Sequence, residues 1–321
     1  MLNRSLLSGV LAGLFSVSLW GSLPLLRQLT DLPALVTSVV ALATAAIVAW
    51  LSALIVGEPQ GGRPVADLRY WLGGVGALAA ALYFYFAALG WGEPARVTLV
   101  TYLWPVVFVV VASALAGRGV PLRVLLGMGV AFAGVVPLVL DEAPGGVETP
   151  LVAYTFGLIS GCAWAAFSVY LRQCGAIPFR GYARMFAQAA GVTLALRLVL
   201  AGELSAPLDA GWLAPVLIGA GPYGIAFMTW GVALRKGPAG LIGVLTYMVP
   251  VIAAVLLILT GFTEPDPALL VAATAVVAGA VLAQMGEAQS ASGAVDCAPE
   301  AADSASARVP MERASPENRS E

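Results

Sequence analysis

The stretch TYLWP at residues 101–105 lies inside an apolar run that carries no charge between Arg96 and Arg118. A run of this length can cross a bilayer, which requires roughly 20 apolar residues per helix. Proline interrupts helical hydrogen bonding, because it has no N–H and its ring clashes with the preceding turn. In lipid, such an interruption is tolerated only where protein or an aqueous cavity covers it. The stretch therefore predicts a membrane helix that is broken near its middle and covered by neighbouring helices.

Composition extends this prediction to most of the chain. Its 321 residues are 60% apolar and only 11% charged, with a mean hydropathy of +0.91, whereas globular domains carry about 25% charged residues. The apolar runs predict ten transmembrane helices, at residues 6–25, 32–56, 71–90, 95–116, 121–140, 151–171, 184–201, 212–233, 238–261 and 267–285. Residues 286–321 are rich in Ala, Ser, Glu and Pro and predict a disordered cytoplasmic tail.

The cations indicate how these helices are oriented. Cytoplasmic connections carry an excess of Lys and Arg. With the N-terminus inside, thirteen of the sixteen cations fall on the inner side, and the exceptions are Arg27, Arg96 and Arg197. The acidic connection DEAPGGVETP, residues 141–150, has no cation and is expected outside. The distribution predicts a multi-pass protein with both termini cytoplasmic. A cleaved signal peptide is the alternative for the first run, but no small-residue cleavage site follows it.

A shift of 145 residues aligns the two halves of the chain. It places WGEPARVTLVTYLWPVV (91–107) over KGPAGLIGVLTYMVPVI (236–252) without a gap, so that TYLWP meets TYMVP and Gly134 meets Gly279. Each half contains five predicted spans. Because five is odd, the second half enters the membrane upside down. The sequence thus predicts an all-α membrane protein of two inverted five-helix repeats, residues 1–140 and 151–285, joined by the outer linker 141–150.

Inverted repeats are typical of secondary transporters, whose substrate site lies where interrupted helices meet near the bilayer midplane. The two TYxxP segments are interpreted as opposite parts of a cavity wall, with Pro105 and Pro250 as kink or gating residues. Proline kinks that serve helix packing alone are the alternative. The small-residue patterns GVLAG (9–13) and GLISG (157–161) are interpreted as ordinary close helix contacts.

Aromatic side chains with polar atoms are the candidates for this cavity wall. Deep in hydrocarbon, an indole N–H or a phenol O–H needs a partner that lipid does not supply. The candidates that lie away from the span ends are Trp20, Tyr85, Tyr102, Trp104, Trp164, Trp230 and Tyr247. Packing between helices is the alternative for any one of them. Trp71, Trp91 and Trp212 lie near span ends and are assigned to the interfacial belts.

Missing residue types exclude several kinds of function. The chain has no histidine, no acidic residue within a span and three cysteines without a paired pattern, so no metal site, cofactor or catalytic group is predicted. The net charge of −2 argues against a nucleic-acid partner. Intramembrane carboxylates usually carry coupled protons. Their absence predicts movement driven by the substrate's own gradient.

The span plan, the half-repeat and the YLWP of the fourth span resemble the drug/metabolite transporter superfamily of the EamA type, over about residues 6–285. Local stretches resemble its bacterial aromatic amino-acid exporters: SLWGSLP (18–24), TYLWPVV (101–107), CAWAAFSVY (162–170) and FMTWGVALRKG (227–237). Many relatives have an acidic Gly-Glu where this chain reads AGRGVPLRV (116–124), so nothing is carried over for that connection. The resemblance implies a substrate path at Tyr102 and Trp104.

Three functions compete on this basis. The leading hypothesis is a monomeric bacterial inner-membrane transporter that exports aromatic or apolar amino acids and related metabolites by alternating access, with the lipid bilayer and a small-molecule substrate as its partners. The second is export of amphipathic drugs or dyes through the same aromatic cavity. The third, a membrane enzyme or sensor, is disfavoured because the sequence contains neither a catalytic motif nor a folded output domain.

Overall fold

The helices of the computed structural model follow the apolar runs closely. The structure describes residues 4–59, 67–115, 117, 119–120, 122–140, 149–174, 177–201, 211–236 and 245–296, and no β-strand occurs among them. The α-helices are α1 Arg4–Gly21, α2 Leu23–Gln28, α3 Ala34–Ile55, α4 Ala77–Trp91, α5 Pro94–Thr101, α6 Trp104–Leu115, α7 Leu122–Leu140, α8 Leu151–Cys174, α9 Phe179–Ala201, α10 Leu213–Ile218, α11 Ala226–Lys236, α12 Met248–Leu259 and α13 Pro267–Asp296.

Six helical stretches in the described residues are long and apolar enough to cross a membrane. They are Leu6–Gln28, Ala34–Ile55, Tyr70–Trp91, Leu151–Cys174, Phe179–Ala201 and Leu213–Ala233. Shorter apolar helices cover Leu122–Pro137, Met248–Leu259 and Pro267–Gly279.

The all-helical prediction is confirmed for the described residues. The last helix runs on to Asp296, beyond the predicted span end at 285, and its added residues include three alanines, which favour helix. Residues 297–321 and most of the linker 141–150 lie outside the described residues.

Both TYxxP segments interrupt a helix. Helix α5 ends at Thr101, Tyr102 and Leu103 form a turn, and α6 begins at Trp104. Pro105 is the second residue of α6, a position whose N–H has no helical partner in any case. The described part of the second copy is similar, because Leu245 is helical, Thr246 and Tyr247 form a turn and α12 begins at the next residue.

Helix α8 covers the first of these breaks. In a continuous helix the Thr101 carbonyl would accept from residue 105, but proline has no N–H to donate. A Cβ atom added at Gly161 would lie 2.7 Å from the Thr101 carbonyl oxygen, and one at Gly157 would lie 3.1 Å from the Thr101 Oγ1. Only glycines allow this approach. The GLISG pattern therefore makes a close helix contact, and it does so at the break itself.

Two helices start with wide, π-helical turns, at Tyr70–Gly76 and Gly219–Ile225. Such turns are frequent at functional sites. The second lies against α3, where a Cβ at Gly219 would come within 2.3 Å of the Ala41 carbonyl oxygen and one at Gly224 within 2.8 Å of Val48 Cγ1. The glycines thus bring α3 directly against the π-helical turns that precede α11.

A buried polar cluster joins three helix ends. Glu93, 8% exposed, caps α5, accepting from the Arg96 N–H at 2.7 Å and from the Thr263 hydroxyl. Its own N–H donates to Thr149 Oγ1 at 3.0 Å. Arg96, 2% exposed, pairs with Asp266 at 2.7 Å. The cluster connects the start of α5 with the segments before α8 and α13.

Helices α7 and α13 pack through glycines that the 145-residue shift aligns. A Cβ at Gly134 of α7 would lie 2.1 Å from the Ala275 Cβ of α13. A Cβ at Gly279 of α13 would lie 2.3 Å from the Gly127 carbonyl oxygen of α7. The two backbones are therefore in direct contact at both places, and neither place has room for a side chain.

Gly279→Ala should destabilise the protein, because its methyl group would press on the backbone of α7, and overpacking of this kind costs about 1–3 kcal/mol. Gly129→Ala is the matched control, since nothing lies within 4 Å of an added Cβ there and alanine favours helix. Thermal unfolding in detergent should show a lower midpoint for the first variant and an equal or higher one for the second. Equal midpoints for both would contradict the packing described here.

Candidate substrate site

An aromatic cluster lies where α1, α8, α9 and α11 meet, and Phe227 of α11 is at its centre. Ring centroids surround that of Phe227 at 5.8 Å for Trp20, 6.4 Å for Trp164, 6.5 Å for Phe167, 5.9 Å for Tyr182, 5.7 Å for Phe186 and 6.3 Å for Tyr223. These separations lie in the range of about 4.5–7 Å in which aromatic rings attract one another. The cluster is thus a continuous aromatic surface contributed by both halves of the chain.

Trp20 connects α1 to the π-helical turns. Its indole Nε1 donates to the Pro222 carbonyl oxygen at 2.8 Å, and its ring lies 5.2 Å from Trp230. The partner that a buried indole requires is therefore a backbone carbonyl. This hydrogen bond fixes the orientation of the Trp20 ring at the edge of the aromatic cluster.

Tyr102, at the first helix break, bridges two apolar groups. It packs with Trp20 and Trp230 around Val17 and Val249. It also packs against the buried group that contains Tyr247, the tyrosine of the second TYxxP copy. The structure therefore brings the two aligned tyrosines to the same packed region.

Tyr85 is 4% exposed, and its neighbours determine whether its hydroxyl donates or accepts a hydrogen bond. Its hydroxyl lies 2.9 Å from Thr98 Oγ1, and the Thr98 hydroxyl donates to the Pro94 carbonyl oxygen at 2.7 Å. Because a hydroxyl has one hydrogen, Tyr85 must donate to Thr98. The Tyr85 oxygen then remains available only as an acceptor.

Tyr223 is 1% exposed, and among the described residues its hydroxyl has no hydrogen-bond partner. Its ring stacks on Trp164 with centroids 6.2 Å apart and an angle of 5° between the planes. The Tyr102 hydroxyl lies close enough to the hydroxyls of Tyr85 and Tyr223 to interact with them electrostatically. A buried unpaired donor costs about 1–3 kcal/mol, and among the described residues the Tyr223 hydroxyl is such a donor.

The site residues predicted from the sequence do not all lie in the same packed group. Trp20, Tyr102 and Trp230 pack together, and Tyr85 and Trp164 belong to the group that contains Tyr223 and Phe227. Tyr247 reaches this region through Tyr102. Trp104 makes no ring contact with another described aromatic residue, and its Cβ faces Gly161 of α8. Pro105 and Pro250 lie in the first turns of the helices that follow the two breaks.

Sequence reasoning missed the residue at the centre, Phe227, because the search required a polar atom on the ring. It also missed Tyr223 and Tyr182. A usable indication was the GPYG stretch at residues 221–224, a proline and two glycines inside an apolar span. Segments interrupted in this way often line binding sites in transporters.

The chemistry of the site is apolar, with few polar atoms. The described residues contain no group of three or more His, Cys, Asp or Glu that could hold a metal ion. The rings offer flat apolar surface, while Tyr223 offers a donor and Tyr85 an acceptor. Such a site suits a flat, apolar molecule that carries one or two hydrogen-bonding groups.

Comparison with known proteins identifies the family of this chain. The sequence profile of the EamA-like transporter family matches residues 7–140. The aromatic amino acid exporter YddG of Ancylobacter novellus is 35% identical over 217 residues, which are 67% of this chain and 75% of the exporter. The chain belongs to the EamA-like transporter family. A crystal structure of a protein that is 30% identical aligns with a TM-score of 0.65, over 88% of this chain and 98% of the solved chain.

Family membership confirms the resemblance seen in the sequence. It also indicates a transporter rather than an enzyme. Together with the long apolar helices, it makes this a multi-pass membrane protein whose substrate is a small molecule.

Tyr223→Phe should raise the thermal stability of the substrate-free protein, because it removes a buried hydroxyl that has no partner in the described part of the chain, and such groups cost about 1–3 kcal/mol. Tyr85→Phe removes a hydroxyl that has a partner and should lower the stability by about 1 kcal/mol. The two substitutions are chemically identical, so opposite shifts of the unfolding midpoint in detergent test the assignment. Shifts of the same sign would show that the two hydroxyls have similar surroundings.

Proposed function

We propose that the protein exports aromatic or other apolar amino acids, and related metabolites, across the bacterial inner membrane. The observation that carries this proposal is the aromatic cluster around Phe227, which combines stacking surface with the hydroxyls of Tyr85 and Tyr223. A relative that is 35% identical and is named an aromatic amino acid exporter supports the same substrate class. Aromatic pairs contribute about 0.5–1.5 kcal/mol each beyond buried area, so several rings together favour binding of a flat aromatic side chain.

Substrate orientation follows from the hydroxyls. In this proposal the ring of the amino acid lies against Phe227 and the Trp164–Tyr223 stack. The Tyr223 hydroxyl then donates to a carboxylate oxygen, and the Tyr85 oxygen accepts from the ammonium group. Trp20, Tyr102, Trp230 and Tyr247 complete the wall, while Trp104 lies at its border with α8.

We further propose ten crossings in two inverted repeats, residues 1–140 and 151–285, with both termini cytoplasmic. A chain that crosses ten times has its odd-numbered connections on one side and its even-numbered ones on the other. The observed contacts respect this rule. Glu93 of connection three bonds to Thr149 of connection five and Thr263 of connection nine. Glu58 of connection two bonds to Arg180, which follows connection six.

Three pairs of features support the duplication. Both TYxxP segments form a turn before the next helix, the third span of each half contains π-helical turns, and Gly134 and Gly279 occupy the same helix contact from opposite sides. Two halves of similar construction can rock about the aromatic cluster, which provides alternating access.

Transport is proposed to follow the substrate gradient. No span contains a carboxylate or histidine, and tyrosine has an unperturbed pKa of about 10. Glu93, a buried carboxylate, already accepts hydrogen bonds at the cap of α5. In liposomes with equal substrate on both sides, a pH gradient should cause no net accumulation; uphill movement that a protonophore abolishes would contradict this.

Phe227→Leu should reduce counterflow of labelled Phe and Trp in proteoliposomes by about three- to tenfold, because it removes the ring that the others surround but keeps an apolar side chain. Phe132→Leu is the control, since Phe132 is exposed on α7, away from the cluster. Rates are compared per inserted molecule. Equal losses in both variants, or none in either, would contradict the proposed site.

The same assay separates the two substrate classes. A quaternary ammonium dye would meet no counter-charge in this cluster and would rely on cation–π contacts alone. We expect counterflow of Phe and Trp and little counterflow of the dye or of Thr. Counterflow of the dye alone would favour the drug-exporter hypothesis.

Single cysteines test the ten-span topology. Cys162, Cys174 and Cys297 are first replaced by serine, and a cysteine is then placed at Lys236 or Glu264, both of which are exposed. We expect an impermeant maleimide to label Glu264→Cys from outside and Lys236→Cys only after the membrane is opened. Labelling of both from one side would rule out the inverted arrangement.

A further inference from the structure

A groove of about 380 Å³ runs between α3 and α9 on the side of the helix bundle. Its lining includes the small side chains of Ala46, Ala183 and Ala187. Its rim carries two large apolar residues of α3, Ile47 at 57% exposed and Trp50 at 49% exposed. For a helix that crosses a membrane, such exposed apolar residues face lipid chains. The groove is therefore open to the bilayer and is separate from the aromatic cluster.

Two cations lie in this apolar groove. Arg180 and Arg184 both line it, and they lie one turn apart on α9. The Arg180 Nε donates to the Glu58 carbonyl oxygen at 3.1 Å. The Glu58 carboxylate accepts hydrogen bonds from the backbone N–H groups of Phe179 and Arg180 at the start of α9. Within the described residues, Arg184 Nη1 is buried without a hydrogen-bond partner. A buried guanidinium donor in an apolar groove requires an anionic or carbonyl acceptor.

The depth of the groove matches the lipid headgroup region. Arg184 is the sixth residue of α9, about 8 Å from the helix start at 1.5 Å per residue. Trp50 lies five residues before the end of α3, and tryptophan is enriched at the level of the headgroups. Arginine near a helix end extends its guanidinium toward that level. A phosphate at this depth would lie beside Arg184, while acyl chains would follow Ile47 and the alanines.

We propose that this groove binds one anionic phospholipid, with its phosphodiester on Arg184 and Arg180 and its acyl chains along α3. Basic pockets between membrane helices recognise anionic headgroups in this way. Arginine suits phosphate because its fork of donors can bind two oxygens at once. The groove lies between a helix of the first half and a helix of the second, so the lipid contacts both halves of the chain.

The test is native mass spectrometry of the delipidated full-length protein in micelles that contain equal amounts of dioleoyl phosphatidylglycerol and dioleoyl phosphatidylcholine. The wild type should retain one phosphatidylglycerol, and should prefer it over phosphatidylcholine by about fivefold or more. A preference of this size corresponds to roughly one contact between an arginine and an anionic headgroup. Arg184→Gln should remove the preference, and Arg184→Lys should restore part of it. Arg197→Gln is the matched control, because Arg197 lies on the same helix and also has a buried nitrogen without a partner among the described residues.

A second variant keeps the charge and fills the groove. Ala187→Phe should lower retention of both lipids, and a single monodisperse peak in size-exclusion chromatography confirms that each variant is folded. No preference in the wild type, or equal losses in Arg184→Gln and Arg197→Gln, would overturn the proposal. Displacement of the phosphatidylglycerol by excess inorganic phosphate would show a free-anion site instead and would also overturn it.

Discussion

The arrangement depends on one constraint: a backbone carbonyl freed inside a membrane must be covered by protein. Pro105 removes the donor for the Thr101 carbonyl, and Gly161 of α8 is the residue that lies against it. This contact fixes the position of α8 next to α5 and α6. Trp164 is one turn beyond Gly161 on the same helix, so the contact that covers the break also sets the height at which Trp164 meets Tyr223. The helix break and the aromatic cluster are thus parts of one arrangement.

The ends of the bundle are held by a different kind of interaction. Buried charges are tolerated when they are paired and hydrogen-bonded, and the pair of Arg96 with Asp266 meets both conditions. Glu93 caps α5 and bonds to Thr263, so the same group of side chains joins both halves of the chain. These contacts lie at the ends of the helices. The interior, in contrast, contains the aromatic rings and hydroxyls around Phe227.

Much of the fold could be predicted from the sequence because hydrocarbon imposes simple rules. Apolar length located the helices, and the TYxxP segments located both breaks. Other features depend on three-dimensional contacts that no local pattern encodes. Phe227 has no polar atom, and only the structure shows that six rings surround it. Tyr223 looked unremarkable until the absence of a partner among the described residues became visible. The resemblance implies a substrate path at Trp104, which follows the first break directly and whose Cβ would lie 3.6 Å from a Cβ added at Gly161.

Photolabelling with a phenylalanine analogue that carries an azide on its ring tests the central proposal most directly. The account predicts adducts on the helices that form the aromatic cluster, α1, α8, α9 and α11, and predicts that excess unlabelled phenylalanine prevents them. Mass spectrometry of the digested protein identifies the labelled segments. Adducts confined to the outer faces of α3 or α7, or adducts that unlabelled phenylalanine does not reduce, would contradict a substrate site at Phe227.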